Sequence, residues 1–256
     1  MMTNNPFAIL AETIPSIVIQ VFVLIMLTLL VVGTVVQMIH HKNLTYFFNN
    51  IKKAKLSATR SVGVGEKTAV IAKTIVHDIA TTAELGAGKR RLAHVLGMWG
   101  TILFWASSVI MIFCYTSYGS VTPTVWPIMW HLGAIMTCVG GYWFWLFLRV
   151  DVSAEAHPWY RIIKADLFVL ALLACATFGL AWSFTQYSGM TALSYLFLIL
   201  FGGVYWSKFA HMFYKPGAAI QKNLAEADGS RDNLPPPADA PEKFGLGIKR
   251  EVPKHY

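Results

Sequence analysis

The chain has 256 residues, of which 55% are hydrophobic and only 13% charged, with a mean hydropathy of +0.52. A soluble domain carries about twice that share of charge, so composition excludes an ordinary water-soluble fold. The net charge of +8 and pI near 9.4 would suit nucleic acid, but the cations flank apolar stretches and no nucleic-acid motif accompanies them, so anionic lipid headgroups account for the charge.

Five stretches reach the ~20 apolar residues that cross a ~30 Å hydrocarbon core: residues 14–39, 95–116, 128–150, 168–186 and 192–211. The first is too long for a cleavable signal peptide, has no basic residues before it and ends without a small-residue cleavage site, so it is expected to remain as a helix. The segment after it holds ten Lys or Arg residues, the turn after the third holds three, and the chain from Lys208 onward holds eight. These account for all 21, and residues 1–13, 117–127 and 187–191 hold none. If the five spans alternate, every Lys and Arg falls on one side, which must be the cytoplasm. The expected fold is therefore an all-α polytopic membrane protein with five transmembrane helices, the N-terminus outside and the C-terminus cytoplasmic. Residues 1–216 are expected to form the membrane domain, including a cytoplasmic loop over 40–94, and residues 217–256 a largely disordered tail.

Within that loop, residues 66–85 place Val70, Ile71, Thr74, Ile75 and Ile79 at helical spacing with charges between them, which predicts an amphipathic helix. Gly86, Ala87 and Gly88 should break it before Lys89, Arg90 and Arg91 open the second span. In the tail, AAIQKNLAEA predicts a short helix, and the Pro-rich, charged remainder predicts little structure. Cys114, Cys138 and Cys175 lie far apart within spans and form no metal-binding pair, so they read as small packing residues.

The eight histidines carry the candidate chemistry. His94 opens the second span and His211 closes the fifth, so the orientation above puts both near the cytoplasmic leaflet. A non-covalent haem b needs two imidazoles of this kind, from separate helices at one height. Gly97 and Gly203 stand one and two turns from them, where a macrocycle can approach the backbone, and Arg90, Arg91 and Lys208 stand where propionates would be paired. His40 and His41 end the first span on the same side and compete as ligands. Equally, a histidine at a membrane helix end is often no more than an interfacial residue. His131, near the outer start of the third span among Trp126, Trp130, Tyr115 and Tyr118, suits a quinone or proton-handling site, although such aromatics also form interfacial belts. His77 and Asp78 are adjacent, which on a helix turns them about 100° apart and argues against an acid–base pair.

The stretches RRLAHVLGMWGTI, residues 90–102, and GGVYWSKFAHMFYKP, residues 202–216, resemble the second and fifth helices of the respiratory nitrate reductase gamma-subunit family of membrane cytochromes b. The likeness is nearer to its relatives in sulfur metabolism: the membrane subunit of the quinone-interacting oxidoreductase complex and the membrane anchor encoded with adenylylsulfate reductase. The tail EADGSRDNLPPPADAP adds to the second. The resemblance implies electron transport between a cytoplasmic iron–sulfur or flavin enzyme, adenylylsulfate reductase, and the quinone pool, in the inner membrane. It implies His94 and His211 as ligands of the cytoplasmic-side haem iron. The family's outer ligand pair is missing, since Phe104 lies ten residues after His94 and residues 192–200 contain no histidine, so one haem is expected. A single His131, even with Met111, Met129 or Met190 as partner, does not restore the outer pair. The alternative is a haem-free membrane anchor for the same enzyme.

Overall fold

The computed structural model describes residues 2–40, 42–85, 88–116, 121–149, 158–163, 166–185 and 211–230, with backbone alone at 43, 84 and 211–214. The described residues are helical, without a strand. In chain order the helices are α1 (Pro6–Leu10), α2 (Ser16–His40), α3 (Asn43–Ser57), α4 (Val64–Lys73), α5 (Lys89–Cys114), α6 (Val125–Trp143), α7 (Leu167–Thr185) and α8 (His211–Ala227). Wide π turns extend α4 over Thr74–Ile79 and α6 over Phe144–Leu148. Four helices are long and apolar enough to cross a membrane: α2, α5, α6 with its π extension, and α7. They match the first four expected spans. The expected fifth, at 192–211, lies outside the described residues except for the backbone of His211, which begins α8.

The chain divides into two units, residues 1–37 with 89–210 and residues 38–88 with 211–256. In the first, α5 and α6 pack backbone against backbone. A Cβ added at Gly100 would stand 2.5 Å from the Thr137 nitrogen, one at Gly133 2.5 Å from the Phe104 nitrogen, and one at Gly140 2.5 Å from the Ala93 carbonyl oxygen. Membrane helices lack a hydrophobic drive toward each other, so small residues that admit close approach supply the attraction through dispersion. Helix α2 is held differently. Only Ile19, Leu30 and Thr34 along it are buried, and Gln20 donates from Nε2 to the Ile112 carbonyl at 3.1 Å.

The short helix α1 completes this unit. Asn5 caps it by accepting from the Phe7 nitrogen at 3.0 Å, and its own amide donates to the Tyr115 carbonyl and the Thr122 hydroxyl. Phe7 thereby stands edge-on to both Trp130 and Trp182, with ring centroids 6.1 and 6.0 Å away. Sequence reasoning assigned no structure to this segment; the Asn-Pro start was the available signal, a capping residue followed by proline at the first helical position.

In the second unit α3, α4 and α8 pack together. The amphipathic helix expected at 66–85 begins at Val64 and winds into π geometry at Thr74. Val70 and Ile71 are half-buried and Thr74 is fully buried, whereas Ile75, expected on the same face, is exposed. The wider π turn moves Asp78 onto the inner face instead. Helix α8 is longer than the short helix expected in the tail, carrying Pro216 inside it.

Candidate functional site

His131 is buried to 1% exposure in the second turn of α6. Its Nδ1 lies 2.7 Å from the Pro127 carbonyl oxygen, four residues earlier on α6, and a carbonyl can only accept. Nδ1 therefore carries the proton, and the neutral ring's Nε2 accepts from the Ser183 hydroxyl of α7 at 2.6 Å. Trp130 stands edge-on to the imidazole at 4.9 Å, and its indole nitrogen donates to Ser108 of α5 at 3.0 Å. Phe104 and Phe184 pack beside this pair. The site thus joins α5, α6 and α7 through two polar bonds inside an apolar shell. With both ring nitrogens engaged, His131 has no lone pair for a metal, and it reaches a quinone oxygen only by exchanging Ser183 for it.

The expected aromatic setting is partly as found. Trp130 is a core residue, 1% exposed, and Trp126 packs half-buried against the same core; Tyr118 lies outside the described residues. Met111 is wholly buried. Ser183 escaped sequence reasoning because it lies 52 positions away and a serine within a membrane span carries no distinctive pattern.

A second buried polar group sits where α6 ends. Arg149 is 1% exposed, its guanidinium 3.9 Å from the centre of the Trp145 ring. Its Nη2 donates to Asp166 Oδ2 at 2.6 Å and to the Arg161 carbonyl at 2.8 Å. Asp166 also accepts from the Ile163 nitrogen at 3.0 Å, whereas Arg149 Nη1 is buried without a hydrogen-bond partner among the described residues. Sequence reasoning used Arg149 only as a topological charge. Trp145 lies four residues before it, the spacing at which helical side chains meet.

The residues expected to hold a haem fall as follows. His94 is exposed on α5, and a Cβ added at Gly97, one turn on, would meet no atom of the described residues within 4 Å. His211 begins α8, with its side chain outside the described residues. The two histidines belong to different units. Lys208, Gly203, His41, His157 and His255 lie outside the described residues, and Arg90 is half-buried in the first turn of α5. Cys175 is buried, Cys138 half-buried and Cys114 exposed, all as free thiols.

His77 and Asp78 are paired, contrary to the expectation from α-helical spacing. The His77 Nδ1–H donates to Asp78 Oδ1 at 2.8 Å, and the π winding of this segment replaces the 100° step on which that expectation rested. Asn223 of α8 donates to Asp78 Oδ2 at 2.7 Å and to the Thr74 hydroxyl at 2.8 Å, fastening α8 to the π turn. The His77 bond, then the Asn223 bond, hold the Asp78 carboxyl below its ordinary value. A depressed carboxylate stabilises the folded form above its unfolded pKa of about 4, and that stability is lost as pH falls through the lower folded value. Acidification below pH ~4 is therefore expected to loosen the α4–α8 contact. Limited proteolysis between residues 58 and 88 across a pH series measures it, and an Asp78→Asn variant showing the same acid dependence would refute this origin.

Compared with known proteins, the chain matches no protein family, no curated protein and no solved structure.

Proposed function

We propose that the chain is the membrane subunit of a respiratory or sulfur-metabolism oxidoreductase. In this reading it passes electrons between a cytoplasmic partner enzyme, adenylylsulfate reductase by the resemblance above, and the quinone pool. The observation that best supports the reading is that an exposed His94 stands one turn before Gly97, where an added Cβ would meet no described atom within 4 Å, on a membrane-length helix. His94 and His211 are the proposed ligands of one haem b. Bound there, a haem would supply a one-electron carrier, while the chain's own residues hold it and exclude water. His131 is not proposed as a ligand because both of its nitrogens are spoken for. The proposed setting is the inner membrane, with five spans, the N-terminus outside and the C-terminus cytoplasmic, as the one-sided distribution of Lys and Arg supports.

The second reading is a haem-free anchor that holds the same enzyme at the bilayer. It is favoured by the bracing of the second unit, where Asn223, Thr74 and Asp78 form a polar clasp suited to a rigid docking platform. A dithionite-reduced minus oxidised spectrum of the protein purified in detergent separates the two. A haem b band is expected, lost in His94→Ala and in His211→Ala and kept in His131→Ala. No band from cells with ample haem would overturn the electron-carrier reading, and a normal band in either of the first two variants would overturn the ligand pair.

A further inference from the structure

Helix α3 has a face that the other described residues of the second unit leave uncovered. Phe47, Ile51 and Ala54 form its half-buried side, with Phe47 against α8, its ring 3.6 Å from where a Cβ on Gly217 would stand. The remaining surface is sorted along the helix rather than around it. Leu44, Tyr46 and Phe48 are exposed in the first half, and Lys52, Lys53 and Lys55 in the second, where Leu56 next to the helix end is the one exposed large apolar residue. From Tyr46 to Lys53 is about 10 Å along the axis at 1.5 Å per residue.

Charge and position narrow what can cover this face. Residues 13–65 contain no Asp or Glu, and Arg60 is paired with Glu66, leaving Lys42, Lys52, Lys53 and Lys55 without a carboxylate from this stretch. Helix α3 starts three residues after α2 ends, so its first turn lies within roughly 11 Å of the end of a membrane-length helix. Lys42 between them takes a left-handed conformation, φ 55°, where the chain turns. A protein groove would read an apolar stripe at i, i+3, i+4 and i+7. A lipid leaflet instead presents a gradient of depth, apolar below and anionic above, extending over about 5–10 Å.

We infer that α3 is an inclined interfacial helix on the anionic cytoplasmic leaflet, its aromatic end at the acyl boundary and its lysine end among the lipid phosphates. The leaflet named rests on the orientation given under Proposed function, and the inference is independent of whether haem is bound. It assigns this face of the second unit to lipid, leaving the clasp between α4 and α8 for a soluble partner.

The test uses the full chain in lipid nanodiscs, with Cys114, Cys138 and Cys175 replaced by alanine and a nitroxide placed on Phe48→Cys or Ser57→Cys. In discs containing anionic phosphatidylglycerol, the label at 48 is expected to meet oxygen and exclude a water-soluble nickel chelate, and the label at 57 to show the reverse. A lysine beside an anionic leaflet strengthens attachment about fivefold. Lys52→Gln, Lys53→Gln and Lys55→Gln together should therefore expose position 48 to the chelate severalfold, and the same should follow in discs of phosphatidylcholine alone. Equal chelate access at 48 in both lipids would overturn the proposal. So would dipolar broadening between labels, which assigns the face to a second copy, or protection appearing only when the soluble enzyme is added. Labelling of Ser57→Cys in intact cells by a membrane-impermeant thiol reagent would overturn the orientation and the leaflet named here. The haem spectrum of the same preparations reports separately on the electron-carrier reading.

Discussion

Asp166→Asn is expected to lower stability by about 3–5 kcal/mol, the cost of leaving a buried cation without its counter-charge. Arg149 is 1% exposed, and one of its terminal nitrogens already lacks an acceptor among the described residues. Asparagine keeps an oxygen for the Ile163 nitrogen and for the guanidinium, so the substitution isolates the charge from the hydrogen bonds. The pair itself is worth far less than the cost of breaking it, because each ion loses its hydration on burial. Removing both charges, with Arg149→Met keeping an apolar stem against Trp145, should therefore recover most of the loss. Unfolding in mixed micelles of increasing dodecyl sulfate, followed by helical circular dichroism, measures both variants. A single variant within ~1 kcal/mol of wild type would show that Arg149 is hydrated or otherwise compensated.

Gly133→Ala is the second large effect, and two opposed terms decide its sign. Alanine favours a helix by about 1 kcal/mol over glycine. Against this, its Cβ would stand 2.5 Å from the Phe104 nitrogen and 2.8 Å from the Gly100 carbonyl oxygen, backbone atoms that cannot swing away. Overpacking of this kind costs about 1–3 kcal/mol, and α5 must move off α6 to relieve it. A net loss is expected, larger still for Gly133→Val. Gly97→Ala is the internal control, since its Cβ meets no atom of the described residues within 4 Å, and it should be neutral or stabilising by up to ~1 kcal/mol. The same micelle titration reads all three; stability retained in Gly133→Val would show that the α5–α6 contact is looser than the distances given. If haem lies beside His94, Gly97→Leu should lose the haem band while the fold persists.

The contrast between Gly97 and Gly133 marks what the sequence made legible. Apolar length alone located α2, α5, α6 and α7 to within a few residues at most ends, since spanning hydrocarbon imposes a composition. The start of α5 was the main exception, because Lys89, Arg90 and Arg91 are charged yet helical. Which glycine meets a neighbouring backbone depends on residues some 30 positions away, and no local pattern separates Gly97 from Gly100. Helix α3 went unread although Phe47, Ile51 and Ala54 recur at helical spacing, because that stripe is short and Lys52, Lys53 and Lys55 crowd its second half. Asp78 was misjudged because the expectation assumed α winding throughout, whereas the segment is a π turn. His131 stood out as the one imidazole near the outer start of a span, but the Ser183 hydroxyl that binds it could not be found from spacing. His94 and His211 were chosen from position and resemblance; of the two, only the surroundings of His94 lie among the described side chains.

The backbone contact between α5 and α6 also bears on how the protein enters a membrane. Ten residues separate the end of α5 from the start of α6, and the pair meets through sites within each helix rather than through α2 or α7. Such a helical hairpin has low contact order, so it can close before its neighbours arrive. A translating ribosome would deliver α2 first, but a helix buried at so few positions gains little until α5 presents the Ile112 carbonyl to Gln20. The order of assembly then differs from the order of synthesis: α5 and α6 zip together, and α2 joins a surface that its successors have made.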